Sequence, residues 1–179
     1  LKKKKTICGV LLHLKKISLE DNFFDIGGDS ISAIKMQIEA LKYNFDFEDA
    51  HDIKPLTYLA SNEVYIKSRL RERMKSTDQV IVLVGESTKY LYKYVRWEIE
   101  LAKELDLPII VINLNNKKSI DNSLCPAILR NANAIHIAFK LNAIKYSLDN
   151  FPSFYNYRRD KTKNTDYYWN DSVYNDLGI

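Results

Sequence analysis

Residues 78–114 read DQVIVLVGESTKYLYKYVRWEIELAKELDLPIIVINL. Gln79 to Gly85 is a continuous apolar run, rich in β-branched residues and closed by glycine, the pattern of a strand buried on both faces of a sheet. From Tyr92 to Leu105 the apolar residues Val95, Ile99, Ala102 and Leu105 recur at helical spacing, and Glu and Lys residues take the opposite side. Leu107 to Leu114 is a second buried strand. Pro108 stands at its start, where no ladder donor is lost.

Working outward, Ala134 to Phe139 reads as a third buried strand and Leu141 to Asp149 as a final helix. Upstream, Asn62 to Lys75 reads as a helix and Phe45 to Glu48 as a short strand. Asn22 to Ile26 fits a first strand, Gly27-Gly28-Asp29-Ser30 a loop on the phosphate side, and Ile31 to Tyr43 a first helix. Strands and helices alternating at this spacing imply parallel pairing with right-handed crossovers. The expected fold is α/β: a doubly wound, flavodoxin-like parallel sheet of about five strands with helices on both faces, whose ligands sit outside the carboxyl ends of the strands.

Composition narrows the class. Hydrophobic residues make up 46% and charged residues 28% of 179 residues, as in globular rather than disordered chains. The net charge is +4, and Lys2 to Lys5 supply as many positive charges, so the remainder is near neutral and nucleic acid is not an expected partner. Cys8 and Cys125 stand far apart with no CxxC or Cys/His spacing, which points to a reduced, cytoplasmic protein with no disulfide framework and no structural metal. The run Thr6 to Leu14 after the lysines imitates a signal peptide. It is short, contains His13 and runs into Lys15-Lys16 without a cleavage site. No segment has the length of a membrane span, so no membrane partner is expected.

The segment Tyr94-Val95-Arg96-Trp97-Glu98-Ile99 resembles the third helix of TIR and TIR-like domains, in which an aromatic residue stands four positions before a glutamate. With Val82-Leu83-Val84-Gly85 before it and Pro108-Ile109-Ile110 after it, it looks like the TIR-like proteins of Thoeris anti-phage systems. Glu48-Asp49-Ala50 and Asp171-Ser172-Val173-Tyr174 also resemble this family. The resemblance runs from about Asn44 to Ile179. It implies cleavage of the nicotinamide–ribose bond of NAD, by hydrolysis or by cyclisation to a cyclic ADP-ribose signal. Its partners would be NAD, a second copy, or a defence effector reached through the product. Glu98 would be the catalytic residue, because a carboxylate in a water-poor cleft stabilises oxocarbenium charge on the ribose. Its aromatic neighbours Tyr94 and Trp97 would shield it and stack on the dinucleotide.

Each position has a plainer reading beside this one. Glu98 also fits a surface glutamate paired with Lys93 or a nearby Arg. Asp49 matches the family's acidic position after the second strand, where it would contact the ribose, and equally fits a turn aspartate. His51 offers acid–base chemistry near neutral pH or is a solvated loop residue. Arg96 would hold a pyrophosphate or simply solubilise its helix. His136, inside a strand, reads as a satisfied core histidine.

The amino terminus resembles a different family. Ile17 to Ile31, with Asp25-Ile26-Gly27-Gly28-Asp29-Ser30 at its centre, is similar to the attachment signature of peptidyl carrier domains of nonribosomal peptide synthetases. There the serine after Gly-Gly-Asp carries 4′-phosphopantetheine, and here that position is Ser30. Such a serine needs a helix N-terminus, where backbone donors favour a phosphate. The carrier fold is a four-helix bundle, of which this chain offers two helices before Phe45 begins a strand. In the α/β reading, Asp25, Gly27, Gly28 and Ser30 face the dinucleotide phosphates instead. The expected organisation is a basic leader with a carrier-like helix over 1–22, a TIR-like domain over 23–152 and a Tyr-rich, irregular tail over 153–179. A catalytically silent TIR-like assembly module is the second expectation, and a carrier segment modified on Ser30 the third.

Overall fold

The structure, a computed structural model, describes residues 4–8, 46–49, 63–85, 88, 92–161 and 164–179; for 4–8, 46–49 and 92–94 it describes the backbone. The elements in chain order are β1 (Lys4–Cys8), β2 (Asp46–Asp49), α1 (Glu63–Met74), β3 (Val80–Val84), α2 (Tyr92–Glu104), β4 (Ile109–Asn113), a 3-10 turn (Ala127–Leu129), β5 (Ile135–Ala138), α3 (Leu141–Arg158) and α4 (Asp171–Asp176). The strands form one five-stranded sheet in the order β2-β1-β3-β4-β5, every pair parallel. This is the doubly wound sheet expected from the alternation of elements.

The pleat divides the core. Val80, Val82, Val84, Ile109 and Val111 meet Leu70 and Met74 of α1 and Val95, Ile99 and Ala102 of α2. The alternate residues Ile81, Leu83, Ile110, Ile112, Ile135 and Ile137 meet Ile144, Leu148 and Phe151 of α3. A period of two along each strand thus feeds two apolar layers, so β3 and β4 are fully buried.

Two expectations are corrected. The strand beside β2 and β3 is not Asn22–Ile26 but Lys4–Cys8, in register Lys4↔Asp46 and Thr6↔Val80. Residues 22–26 lie outside the described residues. The lysine run disguised the strand: charge marks a segment as solvated, whereas a parallel strand is fixed by the backbone ladders on its two sides. The supposed leader therefore contributes to the sheet.

The tail is the second correction. α3 does not stop at Asp149 but runs to Arg158 through Pro152. A proline there leaves the carbonyl four residues earlier without its helical donor. That carbonyl belongs to Leu148, and the buried Gln79 side chain donates to it at 3.1 Å. Beyond the helix, Tyr167 makes a parallel bridge to the outer edge of β5, donating to the Ala134 carbonyl at 2.8 Å and accepting the His136 N–H at 2.9 Å. Tyr174 of α4 is buried and its hydroxyl oxygen accepts the Ala138 N–H at 3.3 Å. The tail is a packed edge of the domain.

Asp166 makes this edge pH-dependent. It accepts the Asn131 and Ala132 N–H groups at 2.8 and 3.1 Å. Burial pushes its carboxyl up, but His136 and those two amides outweigh burial and hold it below the usual carboxylate value. A depressed folded value contributes stability that is present above the unfolded value, near 3.9, and disappears as pH falls through the folded one. Asp166→Asn is accordingly expected to lose about 1.5–3 kcal/mol at pH 7. The gap to wild type should close on acidification below about pH 4, as followed by denaturant melts across pH.

Candidate functional site

The central helix of the site is α2, which packs beside α1 and approaches β1. Its buried arc carries Val95, Glu98, Ile99, Leu101 and Ala102. Glu98 falls on that arc because helical spacing sets it between Val95 and Leu101, one turn before Ala102. It is only 3% exposed. Glutamate is among the side chains least often fully buried, so the surface reading of Glu98 does not hold.

The other residues of α2 take other roles. Arg96 lies on the exposed face and its Nε donates to Glu100 at 2.7 Å, an i,i+4 surface pair. Trp97 is half-buried against the core layer of α1 and α2, with the Lys67 ammonium 4.4 Å from the centre of its ring. The arrangement is a cation–π contact between the two helices.

Beside α2 lies a groove of about 80 Å³ lined by Thr88, Val95, Arg96, Ile99, Pro126, Ala127 and Ile128. Small-molecule sites run to roughly 300–1,000 Å³, so this groove alone does not hold a dinucleotide. Its far wall is Pro126, Ala127 and Ile128 at the 3-10 turn, which follows a bonded loop after β4 that the sequence does not announce as part of a site. Asn113 Nδ2 donates to the Lys117 and Ser119 carbonyls at 2.9 Å. Asp121 accepts from the Lys117 ammonium at 2.8 Å, the Ser123 hydroxyl at 2.6 Å and N–H at 2.9 Å, and Asn115 Nδ2 at 2.8 Å. These donors, Lys117 foremost, hold its carboxyl well below the usual range. The signal was available in the cluster of Asn, Asp and Ser just past a strand. Cys125, next to this loop, is buried, and burial pushes its thiol up to about 12, so it is no nucleophile at neutral pH.

Of the other expected site residues, Asp49 is the last residue of β2, in register with Ile7 of β1, at the carboxyl end of the sheet. Asp25, Gly27, Gly28, Ser30 and His51 lie outside the described residues. His136 is fully buried, but neither ring nitrogen makes a hydrogen bond among the described residues. Its Nε2 stands 3.9 Å from Asp166 Oδ1, beyond hydrogen-bond length. It is a core histidine with a charged neighbour rather than a bonded one.

The molecule is thus a parallel five-stranded α/β sheet with a buried glutamate on the helix after β3. The family model described as Thoeris protein ThsB, TIR-like domain, matches residues 28–119, just over half of the chain. The chain belongs to the ThsB TIR-like family. The family match takes in β2, β3, α2 and β4, and with them Asp49, Trp97 and Glu98. The protein is thus a TIR-like protein of the Thoeris anti-phage type. A second model, the phosphopantetheine attachment site, matches residues 4–48. Its two ends, Lys4–Cys8 and Asp46–Glu48, are paired parallel strands of the TIR-like sheet, unlike the helices of a carrier bundle. No curated protein matches the chain. Among the described residues no helix is long and apolar enough to cross a membrane. No group of three or more His, Cys, Asp or Glu among them has the arrangement to hold a metal.

Proposed function

We propose that this TIR-like chain cleaves NAD at the nicotinamide–ribose bond, with Glu98 as the reactive carboxylate. The observation that carries the reading is the burial of Glu98 on the sheet-facing arc of α2, within a family match that spans it. The electron pair of the C1′–N bond leaves with nicotinamide, and positive charge develops on the ribose. A carboxylate removed from water stabilises that charge more strongly than one in solvent. Water then attacks C1′ and releases a proton, giving ADP-ribose; attack by a ring nitrogen of the adenine gives a cyclic product. Asp49, at the carboxyl end of β2, orients the ribose, and the loop with Asp25, Gly27, Gly28 and Ser30 faces the phosphates. His51 is the acid–base candidate of the same cleft, and Trp97 walls the helix from the α1 side. The reading places the protein in the cytoplasm, with a second copy or a product-sensing effector as partner.

The test is incubation of the purified protein with NAD and measurement of released nicotinamide, in dilute and in concentrated samples. Release supports the reading. No release from either leaves a catalytically silent assembly module.

A second reading rests on the match over residues 4–48: Ser30 accepts 4′-phosphopantetheine. Treatment with a phosphopantetheinyl transferase and coenzyme A should then raise the intact mass by one phosphopantetheine, and Ser30→Ala should abolish the gain. An unchanged wild-type mass leaves Ser30 a loop residue of the TIR-like chain.

A further inference from the structure

One buried hydroxyl ties Thr88 to the end of β3. Thr88 Oγ1 accepts the Gly85 N–H at 2.8 Å and donates to the Leu83 carbonyl at 3.3 Å. The Thr88 N–H donates to the Gly85 carbonyl at 3.1 Å. Thr88 is 2% exposed, so none of these bonds competes freely with water. On its other side Gly85 is pressed against the chain leaving β4: a Cβ there would lie 2.9 Å from Leu114 Cδ1. The exit from β3 is therefore pinned between Leu114 and Thr88. Four residues on, α2 begins, and Thr88 lines one groove with Val95 and Ile99, which share the buried arc with Glu98.

We propose that Thr88 is a positioning residue for Glu98: its hydroxyl bonds to the end of β3 hold its side chain in the groove it lines with Val95 and Ile99, and those two residues set how the buried arc of α2 and its carboxylate sit against the sheet. The inference rests on Glu98 as the reactive group. It differs from a role in general stability, because a side chain that only stabilises the fold leaves the surroundings of Glu98 in the folded molecules unchanged.

The experiment is carboxyl carbon NMR of the full chain, with the Glu98 signal identified by its loss in Glu98→Gln. Thr88→Val removes the hydroxyl at constant shape, Thr88→Ala is a second hydroxyl-free variant, and Thr88→Ser keeps the hydroxyl. The carboxyl chemical shift of Glu98 is expected to move in Val and Ala, because the surroundings of the carboxylate change with its placement. It should stay at the wild-type value in Ser. In the NAD assay Val and Ala should lose about tenfold in kcat with little change in KM, since small misplacements act on the reacting geometry. Ser should restore it. A Glu98 signal unmoved in folded Val and Ala, or moved as far in Ser, overturns the proposal. Absence of nicotinamide release from wild type sinks the NAD reading alone, and the NMR comparison still decides Thr88.

Discussion

Glu98→Gln should reduce nicotinamide release by about 10²–10³-fold, the usual cost of removing one group that stabilises developing charge. Glutamine keeps the length and volume of glutamate, so the contacts of Val95, Ile99, Leu101 and Ala102 on the same arc persist and the protein should remain folded by circular dichroism. What changes is the charge: a neutral amide gives the oxocarbenium-like ribose a dipole where it needs an anion. The control is Glu100→Gln, two residues along on the same helix. Glu100 is half-exposed and paired with Arg96 at the surface, and such pairs contribute less than about 1 kcal/mol, so its turnover should match wild type. Full activity in Glu98→Gln would falsify the assignment and move the chemistry to another carboxylate, with Asp49 the next to replace.

How far the sequence discloses this molecule differs from element to element, for physical reasons. β3, α2, β4 and β5 are legible because a buried parallel strand must be apolar throughout and its covering helix must carry one apolar stripe. Val80–Val84, Ile109–Asn113 and the Val95–Ile99–Ala102 stripe meet those demands with little else mixed in. β1 is hidden because two of its five residues are lysines. Its place in the sheet depends on partners about forty and seventy-five residues away, Asp46–Asp49 and Val80–Val82, which no local pattern reports. The tail is hidden because Tyr, Asn and Asp look solvated, whereas tyrosine and tryptophan bury a ring while giving their polar atom a partner. Tyr155 donates to Asp106 at 2.8 Å and Trp169 Nε1 to the Ser147 hydroxyl at 2.8 Å. Glu98 is legible in part: spacing puts it beside the apolar stripe, but only the packing of α2 on the sheet makes it buried. Thr88 left no trace, since a single threonine in a loop acquires its role from the bonds to Leu83 and Gly85.

The largest loss of stability is expected from Phe151→Ala. The ring is fully buried in the layer between the sheet and α3, together with Ile81, Leu83, Ile110 and Ile137. It also meets Phe154, Tyr155 and Tyr167 at centroid distances of 6.2, 5.9 and 6.2 Å. Truncating a buried phenylalanine removes its transfer energy and leaves a cavity that the neighbours fill only in part, at about 3–5 kcal/mol. For a chain of this size that is a fall in melting temperature of roughly 10 °C. The consequence reaches beyond the helix. Tyr167 leans on the same ring and carries the bridge to β5, so amide exchange at Tyr167 and His136 should speed up more than at Val82 or Val111 in the middle of the sheet. Tyr157, three-fifths exposed on the same helix, is the contrast: Tyr157→Ala should stay within about 0.5 kcal/mol of wild type. Equal melting temperatures for Phe151→Ala and Tyr157→Ala would mean that the tail does not pack on the sheet, and that its aromatic residues are the loose surface cover their composition suggests.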